Sequence, residues 1–352
     1  MRNFFLFALS VILLSACSEK KTNDNAITIA RGQMPAIAKD ADNNIHLVYG
    51  TGDSIMYTYS ADKGRSFVKP VVIDTLNDLV DYATRGPQVA VTKNSIVVIA
   101  VNRLGNIFSF VKDASGKWRK TARVNDVDTV NKEGFLGLGS DGKNNLFSIW
   151  PDLRDDKHQK IYGASSTDEG KTWNKNILVY RSPDSTVCEC CKPSVAMQGS
   201  NVYVMFRNWL NGDRDLYLVQ SANAGNSFGN AEKLGTGSWQ LNGCPMDGGG
   251  LAIAATGVAQ TVWRRQSKIY MATPGAAEKE IGEGKGCSIE TVSGKNIYAW
   301  TDKDGNITCL LPDGTKKILG KGALPVLKAV SDDEMLCVWE DDKNIHSAVF
   351  TF

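Results

Sequence analysis

The sequence has few histidines and almost no net charge. Three histidines occur among 352 residues, and 40 lysines and arginines nearly balance 38 aspartates and glutamates, which leaves a net charge of +2. The histidines, His46, His158 and His346, are too scattered to form a ligand set for a metal ion. No basic tract predicts binding to nucleic acid, and no acidic tail predicts disorder. We therefore expect no nucleic-acid partner.

Segments with a helical period are also missing. After the N-terminal residues, apolar side chains alternate with polar ones in short runs separated by turn residues, which is the pattern of many small strands. No composition shift marks a linker between domains, and a single all-β domain of this length is common. We therefore predict one all-β domain over residues 26–352.

The N-terminus has the features of a targeting segment. Arg2 precedes an apolar run from Phe4 to Leu14 that is too short for a stable membrane span, so residues 1–16 are predicted to be a removed signal peptide. The sequence Leu14-Ser15-Ala16-Cys17 is similar to the bacterial lipobox, which implies cleavage before Cys17 and a lipid on that cysteine. A plain signal peptide with an incidental cysteine is the alternative.

The residues that follow are predicted to tether the domain to a membrane. Residues 17–25 are polar and are typical of a flexible segment. Ser18, beside the lipidated cysteine, does not resemble the signal for retention in the inner membrane. The resemblance therefore implies an outer-membrane lipoprotein of the cell envelope that contacts the membrane only through its lipid anchor.

A short motif recurs along the chain. The pattern Ser-x-Asp-x-Gly-x-Ser/Thr-aromatic is present at residues 60–67 and 166–173, with Asn in place of Asp at 221–228 and in a degenerate form at 112–118. Copies about 50 residues apart are typical of propellers and other repeat arrays. In such a turn Asp or Asn bonds its own backbone, and Gly accepts a positive φ. The motif is the Asp-box, and the chain resembles the sialidase-like Asp-box (BNR repeat) β-propeller proteins over nearly all of its mature length.

Seven repeats can be counted. Each begins with a strand of small residues, followed by a more hydrophobic strand that usually ends in an aromatic residue. The second strands are predicted at 45–49, 96–101, 146–150, 202–206, 259–263, 297–300 and 335–339. The last repeat has only three strands, and residues 26–30 are predicted to add the fourth and close the ring. The prediction is an all-β, seven-bladed β-propeller. Six blades are the rival count, because the catalytic sialidases that it resembles have six.

The repeat register divides the loops between two faces. The Asp-boxes join third to fourth strands and are interpreted as structural. Residues before first strands and after second strands share the opposite face, where function is expected. An arginine follows the second strand in three repeats, and clustered guanidinium groups bind a carboxylate or sulfate through paired hydrogen bonds. The predicted substrate-binding residues are Arg31, Arg85, Arg103, Arg207, Arg264 and Trp209, with Trp239 as a second sugar platform.

The resemblance to sialidases covers only part of their site. Sialidases hold the sugar carboxylate with three arginines, and Arg85-Gly86-Pro87 matches the family's Arg-x-Pro spacing, with Arg103 after the next strand. Val101 replaces the acidic residue that the family has two positions earlier, and no tyrosine–glutamate pair can be placed as nucleophile and base. Glycoside cleavage needs two positioned acid/base groups. The candidates to replace them are Asp152, Asp155 and Glu133, together with Tyr82.

Five of the eight cysteines are predicted to meet near the axis. Cys188, Cys190 and Cys191 precede the fourth inner strand, and Cys244 and Cys287 hold the same place in the next two repeats. Close thiols in an oxidising envelope usually form disulfides, and Cys244 is expected to pair with Cys190 or Cys191. A soft or borderline metal ion, Zn²⁺ or Cu(I), is the alternative cofactor. It is disfavoured because adjacent cysteines point apart in an extended strand.

Two functions are consistent with these patterns. The first is an envelope-anchored, carbohydrate-active protein, either an exo-α-sialidase-like glycosidase or a binder of an anionic glycan. The second is a non-catalytic binding or assembly propeller whose partner is an envelope protein and whose cysteine cluster is linked by a disulfide or a metal. The Asp-boxes and the arginines favour the first function. The incomplete acid/base set and the cysteines favour the second.

Overall fold

Seven antiparallel sheets of four strands each make up the domain. The computed structural model describes residues 26–184 and 186–352. The innermost strands of successive sheets contact one another, and the first inner strand contacts the last, so the sheets close into a ring. The predicted signal peptide (1–16), tether (17–25) and lipidated Cys17 lie outside the described residues. Within the described residues, no helix is long and apolar enough to cross a membrane.

The strands follow one another from the axis outward in each blade. The chain begins with β1 (Ile27–Arg31). Blade 1 contains β2 (Gln33–Lys39), β3 (Ile45–Thr51), β4 (Ser54–Ser60) and β5 (Val71–Thr75). Blade 2 contains β6 (Gln88–Val91), β7 (Ile96–Val101), β8 (Ile107–Lys112) and β9 (Trp118–Arg123). Blade 3 contains β10 (Gly137–Ser140), β11 (Leu146–Asp152), β12 (Lys160–Ser166) and β13 (Ile177–Tyr180).

The remaining blades repeat this order. Blade 4 contains β14 (Ser194–Gln198), β15 (Asn201–Arg207), β16 (Leu216–Ser221) and β17 (Glu232–Lys233). Blade 5 contains β18 (Gly250–Ile253), β19 (Ala259–Arg265), β20 (Lys268–Ala272) and β21 (Lys279–Glu283). Blade 6 contains β22 (Lys285–Val292), β23 (Lys295–Thr301), β24 (Asn306–Leu310) and β25 (Lys316–Lys321). Blade 7 contains β26 (Ala323–Ala329), β27 (Glu334–Asp341) and β28 (Asn344–Thr351).

The first and last segments of the domain share blade 7. The strand β1 pairs antiparallel with β28 and supplies the fourth, outermost strand. The prediction of seven blades closed by an N-terminal strand is therefore confirmed, and the rival count of six is wrong. The closing strand covers Ile27–Arg31, one residue later than predicted.

The core lies between neighbouring blades, on the side chains of the second strands. Trp150, Trp300 and Trp339, each near the end of a second strand, are almost completely buried. One cluster joins Leu47 of β3 to Leu336 of β27, across the seam between the first and last blades. Full burial of such a side chain stabilises the fold by about 1.5–3 kcal/mol. The aromatic residue that marks each repeat is thus a packing element between sheets.

The Asp-box turns join third to fourth strands, as the register predicted. In the first turn, Asp62 Oδ1 accepts hydrogen bonds from the backbone N–H of Ser66 at 2.8 Å and from Ser60 Oγ at 2.7 Å. In the turn that carries Asn223, the amide oxygen accepts the same backbone bond at 3.0 Å. Gly225, with φ of 84°, packs so closely on blade 3 that an added Cβ would lie 2.2 Å from the Phe147 ring. The motif glycines of blades 1, 3 and 4 therefore each pack against the preceding blade, on the face opposite the candidate site.

Candidate functional site

The charged loops lie on the face reached before first strands and after second strands, which we call the loop face. The two kinds of loop interlock: the backbone N–H of Arg103, after β7, donates to the carbonyl of Asp78, before β6, at 2.9 Å. Loops of neighbouring blades also meet there, since Arg85 of the β5–β6 loop contacts Glu133 of the β9–β10 loop. The loop face is therefore a continuous surface.

An aromatic and charged group, the Tyr82 cluster (Tyr82, Arg85, Arg103 and Glu133), lies between blades 2 and 3. The Tyr82 side chain is 44% exposed, and the guanidinium carbons of Arg85 and Arg103 lie 5.5 and 6.0 Å from its ring centroid. Arg85 is itself buried; it stacks on Phe135 at 4.0 Å and pairs with the Glu133 carboxylate at 3.4 Å. Arg103 is exposed and forms no ion pair within the described residues. Its guanidinium is therefore free for an anionic ligand.

Asp81 precedes this cluster in the same loop and was not predicted from the sequence. Burial, and then the negative charge of Glu340, raise the pKa of the Asp81 carboxyl above its ordinary value. Glu340 lies near the end of β27 and accepts a hydrogen bond from the backbone N–H of Met34 at 3.0 Å. The only sequence signal for Asp81 is its position in a loop of the predicted functional face.

Arg207, at the end of β15, is a buried structural element. It is 1% exposed, and its three nitrogens donate to the backbone carbonyls of Asp247, Arg214 and Arg264 at 3.2, 2.7 and 2.9 Å. Arg264 Nε lies 3.2 Å from Asp247 Oδ2, an ion pair without the alignment of a hydrogen bond. The Asp247 carboxylate also accepts the backbone N–H of Gly286 at 2.9 Å. These contacts tie the second strands of blades 4 and 5 (β15 and β19) to the loop before β18 and to the start of β22 in blade 6.

The axis of the propeller contains a cavity of about 340 Å³. Lys192 and Asp247 line it, and Lys192 Nζ donates to Gln88 Oε1 of blade 2 at 3.0 Å. Desolvation by burial lowers the pKa of Lys192 to about 8. The residue is half-buried and lines the axial cavity. No sequence signal pointed to Lys192, because its partner Gln88 is 104 positions away.

Four of the five predicted cysteines converge and one pair is bonded, whereas Cys287 packs in the apolar cluster between blades 5 and 6. Cys190 forms a disulfide with Cys244, one of the two pairings expected from the sequence. The sulfurs of Cys188, Cys190 and Cys191 lie within 4.8 Å of one another. The expectation that adjacent cysteines would point apart is wrong, because this segment is a turn and not an extended strand. With Cys190 bonded, two thiols remain in the group, fewer than the three or four ligands of usual zinc sites.

The remaining predicted residues do not join one site. Asp152 is fully buried, and its carboxylate accepts hydrogen bonds from Trp150 Nε1 and from Arg154 at 2.8–2.9 Å. Its predicted catalytic role therefore finds no support in its position. Asp155 is exposed in the β11–β12 loop with φ of 74°. Trp209 is half-buried beneath the guanidinium of Arg214, which lies 4.3 Å from its ring. Arg31 is exposed at the end of β1.

The fold and this loop face define a seven-bladed β-propeller that resembles lectins and sialidases at low sequence identity. No protein-family model matches the chain, and no curated protein matches its sequence. The BP39L lectin from Burkholderia pseudomallei superposes with a TM-score of 0.65 at 10% identity, over 92% of this chain and 96% of the lectin. These values show a shared fold.

Two further solved structures illustrate how widely that fold is used. A streptogramin B lyase superposes with a TM-score of 0.55 at 11% identity, over 93% of this chain and 97% of the lyase. The Hadza microbial sialidase Hz136 superposes with a TM-score of 0.50 at 11% identity, over 93% of this chain and 68% of the sialidase. A lectin, a lyase and a sialidase share the architecture, so the function must be argued from the residues of the site.

Proposed function

We propose that the protein is a sialidase-like Asp-box propeller of the cell envelope that binds an anionic glycan through the Tyr82 cluster. The observation that carries the proposal is an exposed Tyr82 ring flanked by two guanidinium groups, at 5.5 and 6.0 Å from its centroid. A tyrosine offers a sugar an apolar face and a polar tip, and an exposed guanidinium offers a carboxylate or sulfate paired hydrogen bonds. Exposed Arg103 is the anion-binding group, and buried Arg85 positions the tyrosine.

Binding is favoured over the predicted hydrolysis because the polar atoms of Asp152 and Arg207 are already hydrogen-bonded within the protein. The buried carboxylate of Asp152 is occupied by Trp150 and Arg154, and the three nitrogens of Arg207 by backbone carbonyls. A glycosidase needs one group to protonate the leaving oxygen and another as nucleophile or base. The Tyr82 cluster presents one partly exposed carboxylate, Glu133, and that carboxylate is paired with Arg85.

Hydrolysis is the second candidate because of one observation. Asp81 is half-buried directly before Tyr82 in the same loop, and its raised pKa is the property that a general acid requires. A fluorogenic sialoside separates the two candidates. Turnover that Asp81→Asn abolishes would establish catalysis and overturn a role in binding alone, whereas binding without turnover supports the first proposal.

Substitutions in the Tyr82 cluster provide the direct test of glycan binding. We expect Arg103→Ala to weaken the affinity for a carboxylated or sulfated oligosaccharide about 10-fold or more, because a charge-assisted contact contributes about 1.5–3 kcal/mol. We expect Tyr82→Ala to weaken it as well, because the sugar loses its apolar platform. Affinity is measured by calorimetry on ligands found in a glycan-array screen. Affinity should also fall at high salt, since exposed charges are screened.

Arg119 provides the matched control for these substitutions. It is an exposed arginine on β9, the outer strand of blade 2, and pairs only loosely with Asp113 at 3.6 Å. Arg119→Ala removes the same charge away from the Tyr82 cluster and should leave affinity unchanged. Equal losses in Arg119→Ala and Arg103→Ala would show non-specific attraction, and an array without any bound anionic glycan would refute the proposal.

We also propose that a lipid on Cys17 anchors the propeller to the envelope, on the similarity of residues 14–17 to a lipobox. A single chain gives weak membrane binding, whereas a doubly or triply acylated cysteine anchors stably. Cell fractionation should therefore find the wild type with membranes and Cys17→Ser in the soluble envelope fraction. A Cys17→Ser protein that stays with membranes to the same extent would contradict the anchor.

A further inference from the structure

Four cysteines lie in the loops before β14 and β18, the first strands of blades 4 and 5, and they differ sharply in accessibility to solvent. Cys188 and Cys191 are free thiols that are 1% and 4% exposed, and Cys190 is 7% exposed. Cys190 is bonded to Cys244, which is exposed at the surface. A disulfide therefore connects a buried pair of thiols to solvent.

Cys188 is placed as a nucleophile. Its sulfur accepts a hydrogen bond from Arg214 Nη1 at 3.1 Å and lies 3.3 Å from the Cys191 sulfur. The contact with Cys191, assisted by the charges of Arg207 and Arg214, lowers the pKa of Cys188 to about 6 against the opposing effect of burial. Burial, and then the contact with Cys188, raise the pKa of Cys191, so the negative charge resides on Cys188. A thiolate beside arginines is the reactive form in thiol–disulfide chemistry.

Both sulfurs that the Cys188 thiolate could bond are within reach. Cys188 Sγ lies 3.7 Å from Cys190 Sγ and 3.3 Å from Cys191 Sγ. Cys188 and Cys191 also have the Cys-x-x-Cys spacing that suits a dithiol–disulfide couple. From this arrangement we propose that the four cysteines form a thiol–disulfide relay that reduces an external disulfide through Cys244.

The relay begins with an internal exchange that needs no other reactant. The Cys188 thiolate attacks Cys190 Sγ, the Cys188–Cys190 bond forms, and the Cys190–Cys244 bond breaks with its electron pair on Cys244. The Cys191 thiol then loses its proton to water and attacks Cys188 Sγ, which releases Cys190 as a thiolate. One disulfide and two thiols are present before and after, but the disulfide has moved to the buried pair.

The second stage transfers two electrons to the external disulfide. The exposed Cys244 thiolate attacks it, which forms a mixed disulfide and releases one external thiolate. The Cys190 thiolate attacks Cys244 Sγ and releases the second external thiolate. The external disulfide is thereby reduced to two thiols, while the protein is oxidised to two disulfides, Cys188–Cys191 and Cys190–Cys244.

Thiol release from the aromatic disulfide of Ellman's reagent tests each step in the folded chain. All proteins carry Cys17→Ser, so that no thiol from the tether reacts. We expect the wild type to release two equivalents of thiolate rapidly, and Cys191→Ser to stop at one, because Cys190 is then held by Cys188. Cys188→Ser should react at least about 100-fold more slowly, because the disulfide that covers Cys244 is not opened. Peptide mapping of reacted Cys191→Ser should find the aromatic thiol bound to Cys244 and a Cys188–Cys190 disulfide, whereas an aromatic thiol on Cys188 would contradict the relay.

A pH profile of the wild type keeps the test independent of how well the variants fold. The rate of release of the first equivalent should rise as pH passes through about 6 and then level off, since the Cys188 thiolate is the attacking species in that step. Cys309→Ser and Cys337→Ser, which change buried thiols of the last two blades, should leave the rate unaltered. Thiolate release only after denaturation, or the same rate in wild type and Cys188→Ser, would overturn the proposal.

Two further experiments identify the external disulfide that is reduced and separate the relay from glycan binding. Glutathione disulfide and a disulfide-bonded peptide are compared as oxidants, and the faster one shows whether a small molecule or a protein is reduced. Tyr82→Ala should exchange at the wild-type rate, because Tyr82 belongs to another part of the loop face. Loss of exchange and loss of glycan binding can thus be told apart.

Discussion

Deletion of residues 26–31 is expected to lower the free energy of unfolding by on the order of 5 kcal/mol. This segment contains β1, whose antiparallel hydrogen bonds with β28 close the ring, and whose Ile29 packs against the cluster at the seam between blades 1 and 7. Its removal leaves the N–H and C=O groups of β28 unpaired and exposes apolar surface. An exposed strand edge also invites pairing with other chains. Thermal unfolding should therefore shift down by about 10 °C, with aggregation.

The control for this deletion is a chain that lacks only residues 18–25 and keeps β1. Because those residues precede the closing strand, its unfolding midpoint should match that of the wild type. Circular dichroism and light scattering report the two effects separately. A chain without residues 26–31 that unfolds at the wild-type temperature and stays monomeric would show that the ring does not depend on its seam.

Arg207→Met is expected to destabilise the protein by about 3–5 kcal/mol. The side chain is 1% exposed and donates to three carbonyls contributed by the loops of blades 4 and 5. Methionine fills a similar volume but leaves those carbonyls without donors, and each unsatisfied buried group costs about 1–3 kcal/mol. The same change removes a positive charge near Cys188, so the pKa of that thiol should rise. Urea unfolding measures the first effect, and the pH dependence of alkylation measures the second.

Arg103→Met separates a structural arginine from one exposed to ligands. Arg103 is exposed on the same face, and a surface substitution of this kind usually changes stability by less than about 0.5 kcal/mol. We therefore expect Arg103→Met to unfold like the wild type and to bind glycan weakly. If Arg207→Met instead kept full stability and lost glycan binding, Arg207 would belong to the ligand site, as the sequence-based interpretation had it.

Several features of the fold could be predicted from local patterns. The turn at residues 60–67 carries its own hydrogen-bond partners, since Ser60, Asp62 and Ser66 bond one another within seven residues of chain. The predicted second strand at 96–101 matches β7 in both bounds, because alternation and β-branched residues extend to its ends. The count of seven blades follows from such local signals repeated in register.

Local patterns did not predict how the loop residues would be used. Arginines in equivalent places of blades 2 and 4 look alike in the sequence, but Arg103 is exposed and Arg207 is buried. The difference comes from acceptors that lie up to 57 positions from Arg207. Asp152 looked like a candidate acid, yet its carboxylate accepts hydrogen bonds from Trp150 and Arg154, and Arg154 is held in place by Asp126, 28 positions away, and by the Tyr162 ring.

The sequence by itself predicted the architecture of this protein, because a repeated strand pattern, glycine turns and an extra N-terminal strand together favour a closed ring of seven small sheets. The tertiary structure decided which groups on the loop face are free. It selected Cys190 and not Cys191 as the partner of Cys244, and set Arg214 beside Cys188, 26 positions away. Those contacts depend on how neighbouring blades are packed, and no short stretch of sequence carries that information.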